Sequence, residues 1–99
     1  MVEKAPALST FTLQGRLDML SVAEVEKRLL EVVASTEHHL TIQAEGLEFI
    51  SSAGIRALLT ALKRMRAKGG SVSISGMRPG VREVLGLTGI LTLLSPSVE

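Results

Sequence analysis

A chain of 99 residues with 45% hydrophobic and 21% charged side chains has ordinary globular composition, which excludes disorder and leaves room for one modest core but not a second. It has no cysteine, so there is neither a disulfide framework nor a thiolate site. The net charge of +1, from eleven basic and ten acidic residues, and the presence of only two aromatics, Phe11 and Phe49, supply neither the charge to grip a phosphate backbone nor a platform for stacking bases.

Nucleic acid is therefore not an expected partner. Nor is a membrane: no apolar run approaches the ~20 residues of a spanning helix. The start, MVEKAPALST, also lacks the apolar centre of a signal peptide. A soluble cytoplasmic protein is expected, one domain over residues 1–99, as a monomer or weak dimer.

Residues 2–5 are a possible edge strand, shortened by Pro6. Residues 8–14 (LSTFTLQ) alternate and predict a strand with Phe11 and Leu13 on one face, ended by Gly15 and followed by a connecting loop, GRLDML. Ser21 and Glu24 match a capping box. Val22, Val25, Leu29 and Val32 then recur at helical spacing, predicting an amphipathic helix over 21–34 with a Glu24–Arg28 pair on its outer face. Residues 40–44 (LTIQA) predict the next strand, with Leu40 and Ile42 on one side. A second helix is expected over 53–68, burying Ile55, Leu58, Leu59, Leu62 and Met65 and stopped by Gly69-Gly70.

Residues 71–76 (SVSISG) alternate again, with Val72 and Ile74 inward. Pro79 suits the first position of a third helix over 79–86 carrying Val81, Val84 and Leu85, and residues 90–94 (ILTLL) are a possible final strand. Strands alternating with helices imply parallel crossover units, with the strands near 40–44 and 71–76 as parallel neighbours or near neighbours. The expected fold is α/β, a mixed and mostly parallel sheet of four to five strands packed with three to four helices.

Chemistry in such a sheet gathers where a strand's carboxyl end meets a helix's amino end. Ser51 and Ser52 lie at that junction. Either could be a helix cap, or a hydroxyl held for modification or attack. Catalysis would need a base and an orienting acid, yet the two histidines, His38 and His39, fall beside the start of a strand, at the opposite end of the sheet. No Gly-x-Ser-x-Gly, GxGxxG or Walker pattern occurs, and two adjacent histidines without a third ligand make a poor metal site. No enzyme activity, cofactor or metal is expected. Lys63, Arg64, Arg66 and Lys68 complement the dipole at a helix carboxyl end, and read as a solvated face or a contact for an acidic partner.

The segments GRLD (Gly15 to Asp18), FISSAG and GMRPGVREVLGLTGI resemble, in order and spacing over roughly residues 8 to 95, those of STAS domains, and within them the bacterial anti-sigma factor antagonists. That resemblance implies a partner-switching protein. In the family, the serine after an aspartate at the start of the second helix is phosphorylated by an anti-sigma factor that is itself a serine kinase, and a metal-dependent serine phosphatase reverses the step. Here Ser52 matches the phosphorylated serine and Gly54 the family glycine, while Ser51 replaces the aspartate and Ala53 the second hydroxyl. Asp18 matches the acidic residue after the first strand, on the same rim. The resemblance thus implies phosphorylation at Ser52 and a partner-binding rim of Asp18, Ser51, Ser52, Ala53, Gly54 and Ile55. ATP belongs to the kinase, so no cofactor is implied for this chain. Because the aspartate is replaced, a STAS interaction module that is never phosphorylated, in a transporter complex or signalling assembly, is the alternative.

Overall fold

The computed structural model of the protein describes residues 8–94. The elements run β1 (Leu8–Leu17), α1 (Val22–Ser35), β2 (His39–Ile50), α2 (Ser52–Ala67), β3 (Ser71–Ser75) and α3 (Pro79–Leu87), with a 3-10 turn at Ile90–Leu93. The strands lie in the order β1-β2-β3, both pairings parallel, as the alternation of strands and helices predicts.

One cluster of buried side chains joins the elements. Leu13 and Leu17 of β1, Leu40 and Ile42 of β2 and Val72 and Ile74 of β3 meet residues from all three helices, Leu29, Leu58 and Leu85 among them. The other sheet face is polar. Thr10, Thr41 and Ser73 fall in register across it, as do Thr12, Gln43 and Ser75. The Thr12 hydroxyl donates to Gln43 Oε1 at 3.0 Å, and the His39 ring nitrogens lie 2.7 Å from Ser71 Oγ and 2.9 Å from Ser73 Oγ. These side-chain bonds satisfy the polar face where no apolar layer is available.

The described sheet has three strands, where four to five were expected. Residues 2–5 lie outside the described residues, and residues 90–94 do not form a strand. Gly89, at φ +78°, turns the chain, and the hydroxyls of Thr88 and Thr92 bond back to the carbonyls of Leu85 and Gly89, each at 2.7 Å. Such local bonds compete with a strand ladder. Ile90 is left plugged into the core.

Both long strands outrun their predicted ends. Gly15 has φ +69° but bends β1 without ending it. The register slips twice: Thr12 pairs with Gln43 while Gln14 pairs with Gly46, and Gly15 pairs with Leu47 while Arg16 pairs with Phe49. Each slip leaves an extra residue in β2, so its buried positions run 40, 42, 44, 47 and 50. A period of two that breaks to three reads as the end of a strand; here it marks bulges. Their effect is to deliver Ile50 to the core and Ser51 to the rim.

The helix faces shift slightly from expectation. On α1 the fully buried residues are Leu29 and Val33, with Val22, Val25 and Val32 only half-buried. On α2, Ala57 and Ala61 are buried beside Leu58, Leu62 and Met65, while Ile55 and Leu59 are half-buried. The face is shifted to include alanines because small side chains let the backbone approach its neighbours, which favours a position that hydrophobicity alone does not mark. On α3, Val81 and Leu85 are buried and Val84 is exposed. Gly69, at φ +81°, stops α2, its amide bonding Arg66 O while that of Gly70 bonds Met65 O.

Candidate functional site

The carboxyl ends of β1 and β2 form one rim. Leu17 pairs with Ile50 at the last register position, and the Ser51 amide donates to Leu17 O at 2.9 Å. The loop carrying Asp18 is thereby placed beside the start of α2. Asp18 and the Ser51–Ile55 segment, far apart in sequence, are brought to the same end of the sheet.

The two serines divide the work. Ser51 is the cap of α2: it is extended (φ −90°, ψ 172°), its Oγ accepts from the Gly54 amide at 3.2 Å, and its carbonyl accepts from the Ile55 amide at 2.9 Å. Ser52 is the first helical residue, one position earlier than predicted. It is exposed, and its hydroxyl makes no hydrogen bond among the described residues. A cap hydroxyl would have to surrender a structural bond on modification. That of Ser52 gives up nothing.

Ala53 and Ile55 are half-buried and Gly54 is buried. A Cβ on Gly54 would come within 2.8 Å of Leu17 Cγ, 2.9 Å of Ile50 Cγ1 and 3.0 Å of Leu17 O. Gly54 is thus required by the close approach of α2 to the two strand ends, and it offers the rim little surface of its own.

Asp18 orders the loop. Its carboxylate accepts from the Leu20 amide at 3.0 Å and the Ser21 amide at 3.3 Å, and its backbone carbonyl accepts from the Val22 amide at 2.9 Å. The bond from the Leu20 amide, helped by the Ser21 amide and hydroxyl and by Arg16, holds its carboxyl below the usual 3.8 against a partial desolvation penalty. Arg16 Nε lies 3.7 Å from Asp18 Oδ2, and its guanidinium sits 4.3 Å from the centre of the Phe49 ring.

The capping box expected of Ser21 and Glu24 does not form. Ser21 Oγ turns away from the helix, donating to Arg16 O at 2.8 Å and accepting from the Asp18 amide at 3.1 Å. The strand's preceding carbonyl competes successfully for the hydroxyl because the loop folds back upon β1. The same turn holds Met19 and Leu20 outward, 81% and 96% exposed, two apolar side chains on the rim where the sequence pattern marks only a connecting loop. Their signal in the sequence is a pair of large hydrophobics inside an otherwise polar turn.

Neither histidine lies near the serines. His39 opens β2 and Ser51 follows its last residue, so they sit at opposite ends of the strand, up to roughly 40 Å apart at the usual rise. No cluster of three potential metal ligands occurs among the described residues, and no helix there is long and apolar enough to cross a membrane.

The sequence profile of the STAS domain matches residues 1–99. The chain belongs to the STAS domain family. A curated relative from Bordetella bronchiseptica, named "Putative anti-sigma factor antagonist BtrV", is 28% identical over 92 residues, covering 93% of this chain and 79% of its own. Among solved structures, the anti-sigma factor antagonist SpoIIAA in its unphosphorylated form superposes with a TM-score of 0.78 at 20% identity, covering all of this chain and 88% of that one. The STAS domain of a SulP transporter from Vibrio cholerae gives 0.70 at 25% identity, covering 90% and 69%. The STAS fold is thus shared with proteins of both kinds.

Proposed function

We propose that this STAS domain is an anti-sigma factor antagonist that works by partner switching. Unphosphorylated, it binds an anti-sigma factor with serine kinase activity through the rim of Asp18 and the Ser51–Ile55 segment, which frees the sigma factor. Phosphorylation of Ser52 releases it, and a metal-dependent serine phosphatase restores it. The chain itself is not an enzyme, and the ATP is the kinase's.

The observation that carries this reading is the exposed hydroxyl of Ser52, unbonded among the described residues, at the first position of α2, beside a second serine that has taken over the capping. A helix amino terminus accommodates a phosphate through its free amides and dipole, so the fold is spared. The same group adds about −1.5 to −2 charges to a surface that must be desolvated on docking, so the contact is lost. The similarity to relatives named anti-sigma factor antagonist supports the assignment.

The test is incubation with an anti-sigma serine kinase and ATP, followed by intact mass and site mapping. One phosphoryl group on Ser52 is expected, absent from Ser52→Ala, which still binds the kinase; Ser52→Asp folds and binds weakly. Restoring the family carboxylate with Ser51→Asp is expected to speed the transfer. A second reading, a STAS interaction module that is never phosphorylated, is favoured by the neutral Ser51 and by the likeness to a transporter's STAS domain. Persistent binding with no modification of either serine would select it.

A further inference from the structure

We propose that Arg56 is a clamp for a phosphoryl group on Ser52, so that phosphorylation both blocks the rim and ties the group down within this chain. The inference rests on reading Ser52 as the modified residue. Both residues lie in α2, four positions apart and exposed, which places them one above the other on the same face. Helical side chains lean toward the amino end, so the guanidinium of Arg56 is within reach of a group on Ser52.

Arg56 is also uncommitted. The one ion pair among the described residues joins Arg16 to Asp18, and no bond to the Arg56 side chain occurs among them. The first turn of α2 holds no acidic residue, and its cap, Ser51, is neutral, so nothing on the helix competes for the guanidinium or repels the phosphate. Around this end, Arg16 of β1 pairs with Asp18 of the following loop, and Glu45 and Glu48 of β2 are the strands' exposed carboxylates. A phosphate dianion and a guanidinium form paired, charge-assisted hydrogen bonds. The pair favours the dianion and so lowers its second pKa. The contribution to stability is present above the ordinary value of about 6 and is lost as pH falls through the lowered one.

The experiment installs phosphoserine at position 52 during translation, so that no kinase is involved, and follows its second ionisation by phosphorus NMR. The midpoint of the parent is expected about 0.3–0.6 pH unit below that of Arg56→Gln, an exposed one-turn pair strengthened by the double charge. Arg56→Lys should fall between the two, and Arg66→Gln, near the far end of the same helix, should titrate with the parent. Circular dichroism confirms that each variant is folded. An Arg56→Gln protein titrating with the parent overturns the clamp, as does an Arg66→Gln shift of equal size, which would mean a diffuse field. A kinase that ignores Ser52 would sink the proposed function but leave this measurement standing; an unmoved titration would sink the clamp alone.

Discussion

Replacing Gly54 with alanine sets two opposed effects against each other at the rim. Alanine in a helix interior is favoured over glycine by about 0.8–1.0 kcal/mol, partly because the unfolded chain has less freedom to lose. Against this, the new methyl would sit 2.8 Å from Leu17 Cγ and 2.9 Å from Ile50 Cγ1. Those side chains are 2% and 5% exposed, so neither can swing into solvent to make room. The third contact, at 3.0 Å, is Leu17 O, the acceptor for the Ser51 amide. Overpacking of this kind costs about 1–3 kcal/mol, so a net loss of roughly 0–2 kcal/mol is expected. Gly80→Ala is the matched control: Gly80 lies in α3, and a methyl there would meet nothing within 4 Å, so the variant keeps the gain without the clash. The two variants should differ by about 1–3 kcal/mol, or roughly 4–8 °C in Tm for each kcal/mol. Urea unfolding followed by circular dichroism reads the difference as a shift in midpoint at constant slope. A Gly54→Ala protein as stable as Gly80→Ala would show that α2 does not approach the strand ends as closely as described.

Ser51→Ala removes the cap of α2 and should cost about 0.5–2 kcal/mol, whereas Ser52→Ala, which loses no bond, should stay within about 0.5 kcal/mol; equal midpoints in urea would contradict the division between the serines. Leu58→Ala, at 1% exposure, should cost about 2–5 kcal/mol and Arg56→Ala, in the unphosphorylated protein, no more than about 0.5; comparable effects would place the helix face wrongly. The Leu20 and Ser21 amides should report Asp18 in an acid titration by NMR with a midpoint below 3.8. A depressed folded value means the loop's stabilisation is present above the unfolded pKa and lost as pH falls through the folded one, so a midpoint above 3.8 would refute the hydrogen bonds to that carboxylate.

Local pattern sufficed for the order of elements from residue 8 to the end of α3, for the parallel pairing of β2 with β3, and for the strand-to-helix junction at Ser51-Ser52. These features are written in periods of 2 and 3.6 and in turn residues, which neighbouring positions determine by themselves. Which serine caps and which is free was not legible, because serine suits either place. That was decided by the Ser51 amide reaching across to Leu17 O, a contact between residues 34 positions apart.

The bulges of β2 follow the same logic. Glu45-Gly46 and Glu48 look like the end of a strand along the chain, and only pairing with β1 shows that the ladder continues past them to Ile50. Likewise, Ala57 and Ala61 carry little hydrophobic signal, yet they lie deep on α2 because their size sets how closely the helix can pack. Residue type and spacing therefore determined the elements and proposed the junction. The depth of each face, the length of the strands and the freedom of Ser52 were decided by tertiary structure, because each depends on what a distant segment brings within a few ångströms.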